Sequence, residues 1–194
     1  MSAAEPAPLA AVLTGLKAAF TALQADWYLV GALAAQVHGV VRSTGDVDVT
    51  VRLGSASIAQ LLARLQHGGF EALFSDAGFI EASRVIPLRH ADTGIMVDIA
   101  LAGPGLEERF LERAGHHEVA GVETPVASAE DLLLMKMLAA REKDLADCRA
   151  ILRTRGDSLD RSYVEATLHE LEDALGQSDL TPCWRQLLIE ALRQ

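Results

Sequence analysis

The sequence predicts an α/β fold of the α+β kind, an α/β half followed by a helical half. Three observations carry that expectation. Residues 46–51, Asp-Val-Asp-Val-Thr-Val, alternate polar and apolar, the period of a strand with one buried face. Residues 27–38 read as a strand, Trp27 to Val30, that ends in the small-residue turn Gly31-Ala32 and opens a helix over residues 33–38. From Ser128 onward the spacing is helical, with breaks near Arg155-Gly156-Asp157 and Gly176-Gln177-Ser178.

The elements follow in order. Residues 8–24 carry Leu9, Val12, Leu13, Leu16 and Phe20 at helical spacing. After the strand at 27–30, the helix at 33–38 and the strand at 46–51, residues 57–67 read as a helix with a serine cap, stopped by Gly68-Gly69. Residues 70–74 and 84–89 read as strands, and the turn at 90–94 joins the second of them to a strand around Asp98 in a hairpin. Another strand is expected around 117–126, led in by His116-His117 and ended by Pro125. Domain boundaries are expected at 1–127 and 128–194. No internal repeat or low-complexity tract interrupts this order.

At 194 residues with 50% hydrophobic side chains, the chain is large enough for a real core. Acidic residues outnumber basic ones by 27 to 17, a formal charge of −10, so the surface as a whole repels polyanions. An RNA substrate would require a local basic patch, for which Arg42, Arg52, Arg64, Arg84 and Arg89 are the candidates; scattered solvated arginines are the alternative. Cys148 and Cys183 do not make a disulfide framework, and the six histidines form no HxxH or HExxH arrangement that would suggest zinc. The first eight residues lack a basic leader and no apolar run is long enough for a membrane span, so a cytoplasmic protein that avoids membranes is expected.

The alternating strand is also where chemistry concentrates. Val47, Val49 and Val51 face one side and Asp46, Asp48 and Thr50 the other, which sets the two carboxylates about 6 to 7 Å apart at Cα, within reach of one divalent cation. A solvated polar face is the bland alternative. Asp98 lies in the apolar run Ile95-Met96-Val97-Asp98-Ile99-Ala100, where a buried carboxylate needs a partner. It calls for a cation, a base such as Arg84 or Arg89 on the preceding strand, or a raised pKa. Ser128 and Asp131 read as a helix cap, and Lys136, set among Leu133, Leu134, Met135, Met137 and Leu138, must snorkel to solvent or meet an anion. If that helix ran unbroken, Lys143 and Asp147 would lie within about 20° of Lys136 and Asp144 about 80° away. Arg141, Lys143, Asp144 and Asp147 also read as an ion-paired solvated face.

A strand, a Gly-small turn, a short helix and Asp-x-Asp on the next strand resemble the signature of the nucleotidyltransferase superfamily related to DNA polymerase β. The string Arg42, Thr44, Asp46, Asp48, together with Lys136 and Arg141-x-Lys143-Asp144, is similar to the toxin-type nucleotidyltransferases grouped as AbiEii/AbiGii. The resemblance covers residues 25–150. It implies a mixed-sheet nucleotidyltransferase core and a helical region closing over the nucleotide. It also implies a metal site of Asp46, Asp48 and Asp98 for Mg²⁺, with Mn²⁺ as substitute, and Asp98 as the base. Nucleotide contacts from Gly31, Ala32, Arg42, Thr44, Lys136 and Asp144 follow from it as well. Ala32 stands where the family turn carries glycine or serine; alanine keeps the N–H and lacks a side-chain donor. Thr44 could equally just end the loop, and Gly45 supply a positive φ.

The expected activity is transfer of a nucleoside monophosphate from a nucleoside triphosphate to an acceptor hydroxyl on RNA, protein or a small molecule. A cognate antitoxin or toxin partner is implied by the subtype. A degenerate nucleotide-binding regulator, which Ala32 favours, and a phosphoesterase on the same carboxylates are the alternatives. The phosphoesterase is disfavoured because no histidine or further acid lies near the Asp pair in sequence.

Overall fold

The computed structural model describes residues 7–74 and 76–192. Residues 1–6 of the leader reading and residues 193–194 of the helical stretch read from Ser128 onward fall outside them. The chain divides into two compact units, one of Met1–Leu33 and Ser43–Ala127, the other of Ala34–Arg42 and Ser128–Gln194.

The first unit is built on a mixed sheet. Its strands are β1 (Asp26–Val30), β2 (Asp46–Arg52), β3 (Phe70–Ala72), β4 (Val85–His90), β5 (Met96–Leu101), β6 (Gly115–Val119) and β7 (Val122–Val126). Among the described residues they form one sheet in the order β3-β4-β5-β2-β1-β7-β6. β2 runs antiparallel to β1 and parallel to β5, and β4 and β5 form the expected antiparallel hairpin. This mixed α/β architecture is the fold class the sequence predicts.

Periodicity explains the layers. Val47, Val49 and Val51 of β2 are buried, as are Val97 and Ile99 of β5 and Ile86 and Leu88 of β4, so one face of the sheet is apolar across three strands. Helices α1 (Pro8–Ala22) and α3 (Ile58–His67) supply the matching stripes, Val12, Leu13, Leu16 and Phe20 from one and Leu61 and Leu65 from the other. Phe20 rests its ring 5.2 Å from that of Trp27 on β1. Ser57 caps α3 in a reciprocal box, its hydroxyl accepting from Gln60 N–H at 3.2 Å while the Gln60 side chain accepts from Ser57 N–H at 2.8 Å. The 90–94 turn is fixed by a 3.0 Å contact of His90 Nδ1 with Thr93 Oγ1, with Gly94 at φ +71°.

Several expectations need correction. The strand expected at 117–126 is a hairpin, β6 and β7, turned at Ala120-Gly121 with φ +50° and +79°. Two consecutive left-handed residues make the tight turn that right-twisted strands favour. Pro125 sits inside β7 rather than ending it. Two helices were not foreseen in the sequence, α4 (Ala77–Ser83) and α5 (Leu106–Arg113). α5 carries Leu106, Phe110 and Leu111 among charged residues, with Phe110 buried, and its start is capped by Glu107 and Glu108, whose carboxylates accept from Gly103 and Gly105 N–H.

Helix α2 (Gly31–Val37) leads from β1 toward the second unit, whose other helices are α6 (Ala129–Ala139), α7 (Glu142–Arg155), α8 (Arg161–Leu175) and α9 (Leu180–Leu192). Their buried residues include Leu132, Leu133, Leu134, Met137, Ile151, Leu152, Val164, Leu168, Trp184 and Leu187. Ser128 caps α6 through Asp131 N–H, and the Asp131 carboxylate accepts from Tyr163 Oη at 2.7 Å. The α6–α7 helix is not continuous: Ala140 takes the left-handed conformation, φ +51°, and ends α6 there. The break lets α7 turn back along α6. Cys148, buried, and Cys183 are both free thiols. Among the described residues no helix is long and apolar enough to cross a membrane.

Candidate functional site

Strand register decides where the acids stand. Asp48 pairs with Asp98 across the parallel β2–β5 ladder, and Asp46 lies two residues along the same face. On the other side of β2, Asp48 is opposite Val30, the last residue of β1, and on the other side of β5, Asp98 is opposite Pro87 of β4. The face that the valines leave behind therefore carries all three aspartates. Asp46 and Asp98 are exposed and Asp48 half-buried.

This corrects the picture of Asp98 as a buried charge. Its neighbours Val97 and Ile99 point into the core, but β5 has one buried face and Asp98 is on the other. Even so, partial desolvation, with the Asp46 charge second, pushes the Asp98 carboxyl above the usual carboxylate range. The arginines offered as its partners are engaged elsewhere. Arg84 donates to Leu101 O and Ala102 O, and Arg89 pairs with Glu71 at 2.5 Å. Arg52 pairs with Asp26 at 2.6 Å, so three of the arginines named for a basic patch are spent on neighbours.

Asp48 is held against the β1–α2 junction. Gly31 has φ +66°, and a Cβ there would collide with Asp48 Oδ2, 2.6 Å from its Cγ and 2.9 Å from its Cβ. Only glycine allows the carboxylate to sit so close to that turn. Ala32, next in the chain, is 5% exposed and packs in the core. Thr44 Oγ1 accepts from Asp46 N–H at 3.3 Å, a local turn that fixes the lead-in to β2. Gly45 is not in the left-handed region, so the positive φ considered for it is absent.

Could a divalent cation fit? Among the described residues no three His, Cys, Asp or Glu side chains are drawn together into a metal-holding group, so a three-carboxylate cage is not preassembled. Mg²⁺ does not need one: it keeps several waters and is held through one or two carboxylates plus substrate phosphates. The Asp46 charge, close enough to help raise the Asp98 carboxyl, is what a cation would offset. The donor set fits Mg²⁺ or Mn²⁺ in that open form.

The second unit holds the remaining candidates in one network. Lys136, 5% exposed, donates to Asp147 at 2.6 Å and pairs with Asp144 at 3.5 Å. Arg141 Nε donates to Asp144 at 2.5 Å and Arg42 Nη2 pairs with Asp147 at 3.1 Å. Lys136 thus meets anions rather than snorkelling. Asp144 and Asp147, three apart on α7, share a face that the turn at Ala140 brings to Lys136, whereas Lys143 is exposed. Burial acts to raise the Asp144 carboxyl, but the hydrogen bond from Arg141 and the charge of Lys136 outweigh it and hold the group below its ordinary value. Asp147, which bridges Arg42 and Lys136, read in the sequence either as ion-paired surface or, by helical phase, as a residue on the face of Lys136, and it was not among the nucleotide contacts that the resemblance implies. Arg42 Nε is buried with no hydrogen-bond partner.

A mixed sheet with Asp-x-Asp on one strand, a third aspartate in register on the next and a glycine turn against Asp48 is the arrangement that the resemblance to nucleotidyltransferases implies. Residues 9–189 match the family described as nucleotidyltransferase of unknown function (DUF6036), and the chain belongs to that family. Among solved structures it is similar to the antibiotic-resistance factor ANT(2'')-Ia, at 16% identity and a TM-score of 0.56, over 86% of this chain and 94% of that one. It is similar also to an antigenic nucleotidyltransferase-like protein from Paracoccidioides brasiliensis, at 16% identity and a TM-score of 0.52, over 90% of both chains. A third is the lincosamide antibiotic adenylyltransferase LnuA, at 16% identity and a TM-score of 0.51, over 72% of this chain and 93% of that one. These likenesses are of fold. No curated protein matches the chain.

Proposed function

We propose that this nucleotidyltransferase moves a nucleoside monophosphate from a nucleoside triphosphate to an acceptor hydroxyl, using Mg²⁺ held by Asp46 and Asp48. The observation that carries the proposal is the register that sets Asp98 opposite Asp48, with Asp46 on the same face. Asp98, at the side of the pair away from Gly31, takes the proton from the acceptor hydroxyl. The hydroxyl oxygen forms a bond to the α-phosphorus, the bond from that phosphorus to the β-phosphate oxygen breaks, and pyrophosphate leaves. The cation supplies positive charge to the phosphate oxygens. Gly31 and Ala32 present backbone N–H groups to phosphate, and Thr44 fixes the loop that delivers Asp46.

The resemblance also assigns Arg42, Lys136 and Asp144 to the nucleotide. Within the second unit Arg42 pairs with Asp147, and Lys136 with Asp144 and Asp147. The same residues carry the likeness to the AbiEii/AbiGii toxin type and, with it, a cognate antitoxin or toxin partner. ANT(2'')-Ia has been solved with adenylyl-2''-tobramycin and LnuA with lincomycin, which makes small hydroxyl compounds the first acceptors to try. Cytoplasmic location belongs to the proposal as well.

Incubation with each labelled triphosphate, Mg²⁺ and a panel of acceptors tests this. Label should move to an acceptor or to water with release of pyrophosphate, and Asp48→Asn should abolish it. Tight triphosphate binding without turnover, unchanged by Asp48→Asn, would instead make the protein a nucleotide-binding regulator.

A further inference from the structure

The chain that links the glycine turn to β2 carries site residues at both of its ends. Gly31 and Ala32 stand just before the segment Ala34–Arg42, which belongs to the second unit, and Asp46 stands four residues after it. Whatever fixes that segment sets the course of the backbone into β2.

Its first part is held by packing. Ala34, Ala35, His38 and Val40 are buried, and Gly39, at φ +97°, lies so close to α7 that a Cβ there would collide with the Thr154 side chain. After Val40 the packing ends. None of residues 41–46 is buried, Val41 is 99% exposed, and a Cβ at Gly45 would meet nothing within 4 Å. A run without buried apolar contacts opens easily unless polar contacts tie it down. The tie is Arg42: its carbonyl accepts from Gln36 Nε2 at 2.6 Å, and its Nη2 pairs with Asp147 at 3.1 Å. Asp147, 3% exposed, is held in turn by Lys136 Nζ at 2.6 Å. A carboxylate so buried is little screened by water and salt, so it holds Arg42 more firmly than a surface pair would. Beyond Arg42, the Thr44 hydroxyl makes the local turn that receives Asp46 N–H.

We infer that Asp147 is a positioning residue of the metal site: by holding Arg42 it sets the loop that delivers Asp46, acting through that loop rather than on metal or nucleotide. Asp46 enters here as the metal ligand of the proposed function, on which the inference rests. Without the Asp147 pair, the loop keeps only the Gln36 contact and the Thr44 turn, and the Asp46 carboxylate spends less of its time where a cation shared with Asp48 can use it. Outer partners that orient the ligands of a metal are worth roughly 10- to 100-fold in affinity or activity.

Two readouts on the full chain test this: Mn²⁺ affinity by water-proton relaxation, with and without a non-hydrolysable triphosphate, and amide exchange of residues 41–46. Asp147→Asn should weaken Mn²⁺ binding about tenfold or more and speed exchange in the loop. Arg42→Gln, which leaves the buried Lys136–Asp147 pair in place and so guards against a misfolded Asp147 variant, should do the same. The double variant should be no worse than the more impaired single, since both changes break one pair. Tyr163→Phe removes a hydrogen bond to buried Asp131 in the same unit and should move neither readout, which separates positioning from a general loosening of the helices. Unchanged Mn²⁺ affinity or loop exchange in Asp147→Asn, losses that multiply in the double variant, or equal losses in Tyr163→Phe overturn the positioning role and leave the proposed function standing. Mn²⁺ binding that Asp48→Asn leaves intact overturns the proposed metal site and the inference with it.

Discussion

Replacing Gly31 by alanine is the sharpest perturbation the structure offers. The new Cβ would lie 2.6 Å from Asp48 Cγ, whereas carbon atoms in contact settle about 3.5 to 4.0 Å apart, so the carboxylate must retreat by about 1 Å. The backbone adds to the cost, because an L-residue held at φ +66° is less stable than glycine there by roughly 1 to 2 kcal/mol. Two losses follow: a modest fall in stability and a displaced metal ligand. Misplacement of that size costs on the order of a hundredfold in rate. Urea denaturation measures the first, and Mg²⁺-dependent pyrophosphate release, with Mn²⁺ affinity beside it, measures the second. Gly45→Ala is the internal control, since its Cβ meets nothing within 4 Å and its backbone is not left-handed. If Gly31→Ala transfers at the wild-type rate and binds Mn²⁺ equally well, the tight placement of Asp48 has no bearing on function and the reasoning fails.

Further consequences concern the second unit and the caps. Lys136→Met leaves Asp144 and Asp147 buried without their shared cation and should cost about 3 to 5 kcal/mol in urea denaturation, whereas Lys143→Met on the exposed side should stay within about 0.5 kcal/mol. Because the folded Asp144 carboxyl is held below the unfolded value of about 3.9, its contribution to stability is fully present above that value and is lost as pH falls through the folded one. Melting temperature followed from pH 6 downward should therefore drop with a contribution from this group that Asp144→Asn removes; identical pH slopes for both proteins would contradict it. Ser57→Ala takes away one half of the α3 capping box and should destabilise by about 1 kcal/mol without touching transfer.

What the sequence revealed and what it hid have physical causes. The alternation of 46–51 was legible because one sheet face is buried and the other carries polar groups, and the same rule located the aspartates on the open face. The exposure of Asp98 was not, since Met96 and Ala100 share its face and made the run look buried on both sides. The break at Ala140 left no mark, because alanine is a strong helix former and its left-handed turn is imposed by the packing of α7 on α6. That break also changed the site arithmetic: Asp144 and Asp147 reach Lys136 by folding back, not by phase along one helix. The ion-pair partners of Arg52 and Arg89 and the backbone carbonyls that hold Arg84 were hidden for the same reason, being contacts between segments distant in the chain. Likewise the crowding at Gly31 is a relation between two elements that no local pattern records.

The most direct test of the whole account is a crystal soaked with a triphosphate analogue and Mn²⁺, read by anomalous scattering. A manganese peak bridging the carboxylates of Asp46 and Asp48, with the Asp98 carboxylate facing the same ion or the hydroxyl position beside it, is the predicted result. Manganese bound away from Asp46 and Asp48, in crystals that still turn over the natural triphosphate, would contradict it.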